Sequence, residues 1–175
     1  ACRAAILDPD LTRTCLAKVA AAAGIDAIAH AIETAGTTQR NQVSLECSRL
    51  AWEKLSRSFE RVLRDADDDA ARADMLLGAH LGGVAIERSM LGAAHSCANP
   101  LTSRFGVTHG VAVGVMLPHV VRFNGEHGAN PYAALGLSDE ALAMKIEGFL
   151  DAAKLPRSLT DLGVPESALP ALAEE

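Results

Sequence analysis

The chain has 175 residues, enough for one sizeable core, and 49% of them are hydrophobic while only 3% are aromatic. That apolar content excludes a disordered chain, and with alanine and leucine supplying much of it the composition favours helices packed closely through small side chains. The net charge of −6 and the scattered basic residues argue against a nucleic-acid or acidic-lipid surface.

The opening AAILDPDLT reads as extended chain followed by a turn at Pro9-Asp10. From about Leu16 to Thr34 apolar residues recur at helical spacing, with Gly24 as the weak point. A helix over Asn41 to Arg64 follows, with Leu45, Trp52, Leu55, Phe59 and Val62 on one face and Val43, Cys47 and Leu50 on another. Apolar residues on two sides predict that its N-terminal half is buried. The acidic run RDADDDAARAD is most simply a solvated turn leading into the acidic first turn of the next helix, Asp69 to Met90. Gly78, Gly82 and Gly83 in that helix suit close approach by a neighbour.

A further helix starts near Met90 and is expected to break at Asn99-Pro100, and another begins around Thr108. The last clear helix, Ser138 to Lys154, has Ser138 as cap with Asp139 and Glu140 in its first turn, although Ala141 denies it a full capping box. The tail is turn-rich and ends in an incomplete helix. The fold expectation is therefore all-α, a multi-helix bundle forming one domain over residues 1–175.

The four cysteines form no CxxC pair, and Cys47 and Cys97 lie in helical contexts that suit reduced, buried thiols. No signal peptide or membrane-length apolar stretch is present in the sequence, so a cytoplasmic protein without membrane contact is expected. The chain begins without methionine inside an apolar segment, which reads as a piece of something longer.

Of the six histidines, His127 suits a surface loop and His80 a hydrogen-bonded interior position. His119 suits either a ligand or a backbone contact. Asp26 and His30 in GIDAIAHAIET are four residues apart and share one helix face. They suit either an ordinary helix pair or two ligands of one metal ion. With His95 and His109, which flank the expected helix break, they would make a three-imidazole, one-carboxylate shell suited to Zn²⁺ or Fe²⁺. Spacing alone leaves both readings open.

Three segments in order, ILDPDLT, GIDAIAHAIE and GAAHSCANPLTSRFGVTHGVAVGVMLPHVVRFN, make the stretch from about Ala4 to Asn124 resemble the iron-containing (group III) alcohol dehydrogenase family. The tail PRSLTDLGVPESALPALAE is similar to the family's later helices. The resemblance implies the family's all-α C-terminal domain, of dehydroquinate synthase-like type, with Asp26, His30, His95 and His109 as ligands of Fe²⁺ or Zn²⁺. It further implies an NAD(P)-linked reaction on a small-molecule alcohol or aldehyde, in a possible homo-oligomer. Maleylacetate reductases and glycerol dehydrogenases look similar, and a non-catalytic helical metal-binding module is the alternative from another class.

Two departures from the family pattern stand out. Asn99 occupies the second position of its H-x-x-x-H motif; Asn hydrogen-bonds substrate but cannot relay a proton, and it equally suits simple helix termination with Pro100. Leu16-Ala17 replaces a double proline, affecting only how the first helix begins. No glycine-rich GGGS or G-x-G-x-x-G turn occurs, so no residue is assigned to cofactor binding and the family's N-terminal α/β nucleotide domain is not expected in this chain. A helical domain cut at both ends would leave an apolar face open near the third segment, favouring self-association.

Overall fold

The computed structural model describes residues 4–174. Among them are seven α-helices and no strand: α1 (Ala17–Gly36), α2 (Gln42–Arg64), α3 (Asp69–Ser89), α4 (Ala93–Phe105), α5 (His109–His127), α6 (Asp139–Ala152) and α7 (Leu169–Ala173). No helix among the described residues is long and apolar enough to cross a membrane.

The bundle is built round α1. Its alanines and isoleucines are apolar on all sides, and such a helix is stable only when surrounded. Ile25, Ile28 and Ile32 are fully buried, and α2, α3, α4 and α5 all pack on it. Close approach is possible because side chains at the crossings are small. Gly24 looks like a weakness in the helix, but it is where the Phe59 ring of α2 lies; a Cβ there would stand 2.6 Å from the ring edge. Gly78 and Gly82 of α3 likewise face Leu55 and His30, whereas Gly83 faces open space.

Local capping explains where several helices start. Asn41 Oδ1 accepts from the Val43 and Ser44 amides, and Ser44 Oγ accepts from the Asn41 amide in return, a full capping box. Asp68 Oδ1 accepts from Ala71 N and Ser138 Oγ from Ala141 N, so the acidic run does form a turn and a helix start. The N-terminal segment turns through a short 3-10 helix, Pro9–Thr12, tied to α3 by the buried Arg72, which donates to Thr12 O and Thr12 Oγ1.

Four expectations fail, the first three for a tertiary reason. The buried stripe in the first half of α2 consists of Ser44 and Ser48, while Val43 is 57% exposed. The serines are satisfied by hydrogen bonds, Ser48 Oγ lying 2.7 Å from both Ser44 O and the buried Thr34 Oγ1. The helix does not break at Asn99-Pro100, because α4 runs through Pro100 to Phe105 and ends at the left-handed Gly106. Proline leaves the carbonyl four residues earlier without its donor. That residue is the exposed Ser96, whose carbonyl water can solvate, while Ala98, Pro100 and Leu101 are buried. His80 is exposed rather than interior, on a side of α3 that no helix among the described residues covers. Cys97 is also exposed, and Cys47 is half-buried.

Candidate metal centre

Three helices bring the predicted residues together. Asp26 and His30 project from adjacent turns of α1. His95 is the third residue of α4 and His109 the first of α5, so the two helix starts deliver one imidazole each. The α5 start is held against α1 by Gly110. A Cβ at that position would lie 2.2 Å from the Ala22 carbonyl oxygen and 3.2 Å from the Asp26 Cβ. Only glycine permits the crossing that sets His109 beside Asp26.

Asp26 Oδ1 lies 3.3 Å from His95 Nε2 and 3.7 Å from His109 Nε2. One donor atom from each of Asp26, His95 and His109 falls within 4.8 Å of the others. His30 Nε2 is 3.6 Å from the other oxygen, Oδ2, and stands at the edge of that set; its ring stacks on His95 with centroids 5.0 Å apart. For metal–ligand bonds of about 2.1 Å, neighbouring ligands of a tetrahedral ion sit about 3.4 Å apart. The separations of His95 Nε2 and His109 Nε2 from Asp26 Oδ1 are of that size.

Two atoms test whether a cation fits. Asp26 Oδ1 and His95 Nε2 are buried, and neither has a hydrogen-bond partner of acceptable geometry among the described residues. Leaving a buried polar atom unsatisfied costs about 1–3 kcal/mol. A cation between the carboxylate oxygen and the imidazole nitrogens would satisfy both, and the donor set of one carboxylate with imidazoles is chemically suited to Fe²⁺ or Zn²⁺.

The electrostatics follow from burial and from the neighbours. Burial works to raise the Asp26 carboxyl, but His95, His30 and His109 together hold it below the usual carboxylate range. His30 is pulled down chiefly by burial. Burial also disfavours a charged His95, yet the Asp26 and Glu33 carboxylates outweigh it and push its pKa up to about 9. In the metal-free protein a proton on His95 therefore does part of the work of a cation.

The sequence alone gives Glu33 no role, although it completes the i, i+4, i+7 stripe begun by Asp26 and His30. It is 3% exposed; Oε2 lies 2.5 Å from His95 Nδ1, and Oε1 accepts from the Ala94 amide at 2.6 Å. Asn99 is exposed, one turn beyond His95 on α4. His119 is exposed, and His127 ends α5, with Nδ1 2.8 Å from the Phe123 carbonyl oxygen. Beside the cluster opens a cleft of about 470 Å³, lined by Asp26 and His109 together with Lys18, Val19, Ala22, Thr108 and Leu155 among others. Its walls are mainly apolar and its size suits a small molecule.

The fold and site together define an all-helical domain in which a carboxylate and imidazoles converge from three helix segments. Residues 20–175 match the Fe-containing alcohol dehydrogenase family, C-terminal region, and the chain belongs to that family. It is 31% identical over 184 residues to long-chain-alcohol dehydrogenase 1 of Geobacillus thermodenitrificans, covering 98% of this chain and 47% of that protein. It is 32% identical over 185 residues to 1,3-propanediol dehydrogenase of Klebsiella pneumoniae, covering 97% and 47%. The crystal structure of a 1,3-propanediol oxidoreductase superposes with a TM-score of 0.88 at 30% identity, over 95% of this chain and 47% of that one. The chain thus spans about half the length of the curated relatives it matches, which are oxidoreductases of the alcohol dehydrogenase type.

Proposed function

We propose that this chain is the metal-holding part of an NAD(P)-linked alcohol dehydrogenase, with Asp26, His30, His95 and His109 binding Fe²⁺ or Zn²⁺. The observation that carries the proposal is the pair of buried atoms that make no hydrogen bond of acceptable geometry, Asp26 Oδ1 and His95 Nε2, set 3.3 Å apart where three helices meet. When bound, the metal supplies Lewis acidity to the oxygen of an alcohol or carbonyl substrate.

The chain's own residues do the rest of the positioning. Asp26 contributes the negative charge that offsets the ion in partly buried surroundings. His95 and His109, fixed at the starts of α4 and α5, orient their Nε2 atoms toward one point. The apolar walls of the adjoining cleft, Val19, Ala22 and Leu155, reduce water around a substrate bound beside His109, and Lys18 offers that substrate one positive charge. Asn99 hydrogen-bonds substrate from α4 but, as an amide, leaves proton transfer to another group or to water. The nicotinamide would be held by segments outside these 175 residues, since no glycine-rich phosphate loop occurs among them.

Metal analysis after reconstitution tests the reading. The wild-type chain should retain about one equivalent of zinc or iron after gel filtration, and Asp26→Ala and His109→Ala should retain far less. Equal retention by all three would refute it.

A further inference from the structure

Glu33 is the most buried acidic side chain among the described residues, and a lone buried carboxylate would be costly unless its oxygens were used. Both are. Oε1 takes the amide of Ala94 at 2.6 Å, and Oε2 takes His95 Nδ1 at 2.5 Å with the His95 amide at 3.4 Å. Helix α4 starts at Gly92 with no cap from its own side chains, so the α1 carboxylate supplies the cap from outside the helix. Gly92 makes room for it: a Cβ there would stand 2.8 Å from Oε1.

From this arrangement we infer that Glu33 is a positioning residue for the metal centre, resting on the ligand assignment proposed above. It fixes the His95 tautomer and the α4 start with the two oxygens of one group. A carboxylate only accepts, so His95 Nδ1 must carry the proton that it donates to Oε2. In the neutral imidazole that leaves Nε2 with a lone pair, aimed at Asp26 Oδ1 and free of any other partner. The Ala94 amide, bonded to the other oxygen, sets the height of α4 along α1 and with it the depth at which Nε2 sits. The carboxylate thereby links the seating of a helix to the chemical form of a ligand.

The two jobs separate in one substitution. In Glu33→Gln the amide oxygen still accepts from Ala94 N, because the amide nitrogen cannot. The amide nitrogen is then left facing His95 Nδ1, where it donates and forces the proton onto Nε2, the atom needed by the metal. Glu33→Ala removes both bonds and serves as the structural control.

Co²⁺ titration of the 175-residue chain, followed by absorbance, with the melting temperature of the metal-free form measured in parallel, tests the inference. Glu33→Gln should bind Co²⁺ roughly 10–100-fold more weakly, with a metal-free melting temperature below wild type, because the charge paired with His95 is gone, but above that of Glu33→Ala, which loses the Ala94 bond as well. In the zinc-loaded wild type, nitrogen-15 spectra should show the His95 proton on Nδ1. If Glu33→Gln binds Co²⁺ like wild type, or if its melting temperature falls as far as that of Glu33→Ala, Glu33 does not set the tautomer. If wild type itself binds no Co²⁺, the ligand assignment fails and this inference with it.

Discussion

Gly110→Ala is the sharpest test of how packing builds the site. The added Cβ would lie 2.2 Å from the backbone oxygen of Ala22 and 2.9 Å from its carbonyl carbon, and neither can rotate away. Ordinary contact requires α5 to move off α1 by about 1 Å. Overpacking of this kind costs about 1–3 kcal/mol, partly offset by up to about 1 kcal/mol from the better helix propensity of alanine. A net loss of about 1–2 kcal/mol is expected by urea denaturation of the metal-free chain. The same shift acts on His109, the neighbouring residue, whose Nε2 is already 3.7 Å from Asp26 Oδ1, so Co²⁺ binding should weaken at least about tenfold, the low end of the effect of disturbing a ligand's support. Gly83→Ala in α3 is the control: nothing lies within 4 Å of the place its methyl group would take, and relief of glycine's entropy should stabilise by about 0.5–1 kcal/mol. If Gly110→Ala is as stable as wild type and binds Co²⁺ equally, the glycine crossing is not what assembles the site.

Three other outcomes follow from the same geometry. Because the folded pKa of His95 is raised to about 9, its contribution to the stability of the metal-free chain is fully present below about pH 6.5 and is lost as pH rises through 9. At about 1.36 kcal/mol per unit this is at most about 3 kcal/mol, and urea denaturation from about pH 6 to 9.5 should show the decline in wild type but not in His95→Ala. Asp26, held below the usual carboxylate range, contributes in the opposite sense; its share is present above that range and lost on acidification, so Asp26→Asn should flatten the acid limb of the same profile. The exposed apolar side chains Ile6, Leu7, Leu11, Leu16 and Val19 should make the chain self-associate at high concentration, and replacing Ile6 and Leu11 by serine should reduce the sedimentation coefficient; a monodisperse wild-type monomer would contradict this.

Helix boundaries were legible where the signal is local. Asn41, Asp68 and Ser138 each bond amides within their own next turn, and the alanine-rich periodicity of α1 needs no knowledge of its neighbours. What the sequence could not carry depends on which side of a helix meets solvent. Pro100 continues α4 because the carbonyl it orphans, that of Ser96, is on the wet side. His80 is exposed because no element among the described residues covers that side of α3, and Val43 yields the buried stripe to Ser44 and Ser48 because Thr34 of α1 offers a hydroxyl there. Of the four proposed ligands, spacing puts Asp26 and His30 on one helix face without choosing between a helix pair and a metal site, and only the family resemblance joins His95 and His109 to them. Glu33 has the right spacing, but its role exists only once α4 is seated against α1. Gly92 and Gly110 look like ordinary glycines until the atoms opposite them are known.

The central claim is that one divalent cation is held where α1, α4 and α5 meet. Anomalous diffraction at the zinc edge from crystals of the zinc-reconstituted chain tests it most directly. One strong peak is expected, bounded by Asp26 Oδ1, His95 Nε2 and His109 Nε2, with His30 Nε2 drawn in from its present place beside Oδ2. Zinc bound elsewhere, with Asp26 and His95 left facing each other across 3.3 Å, would contradict it.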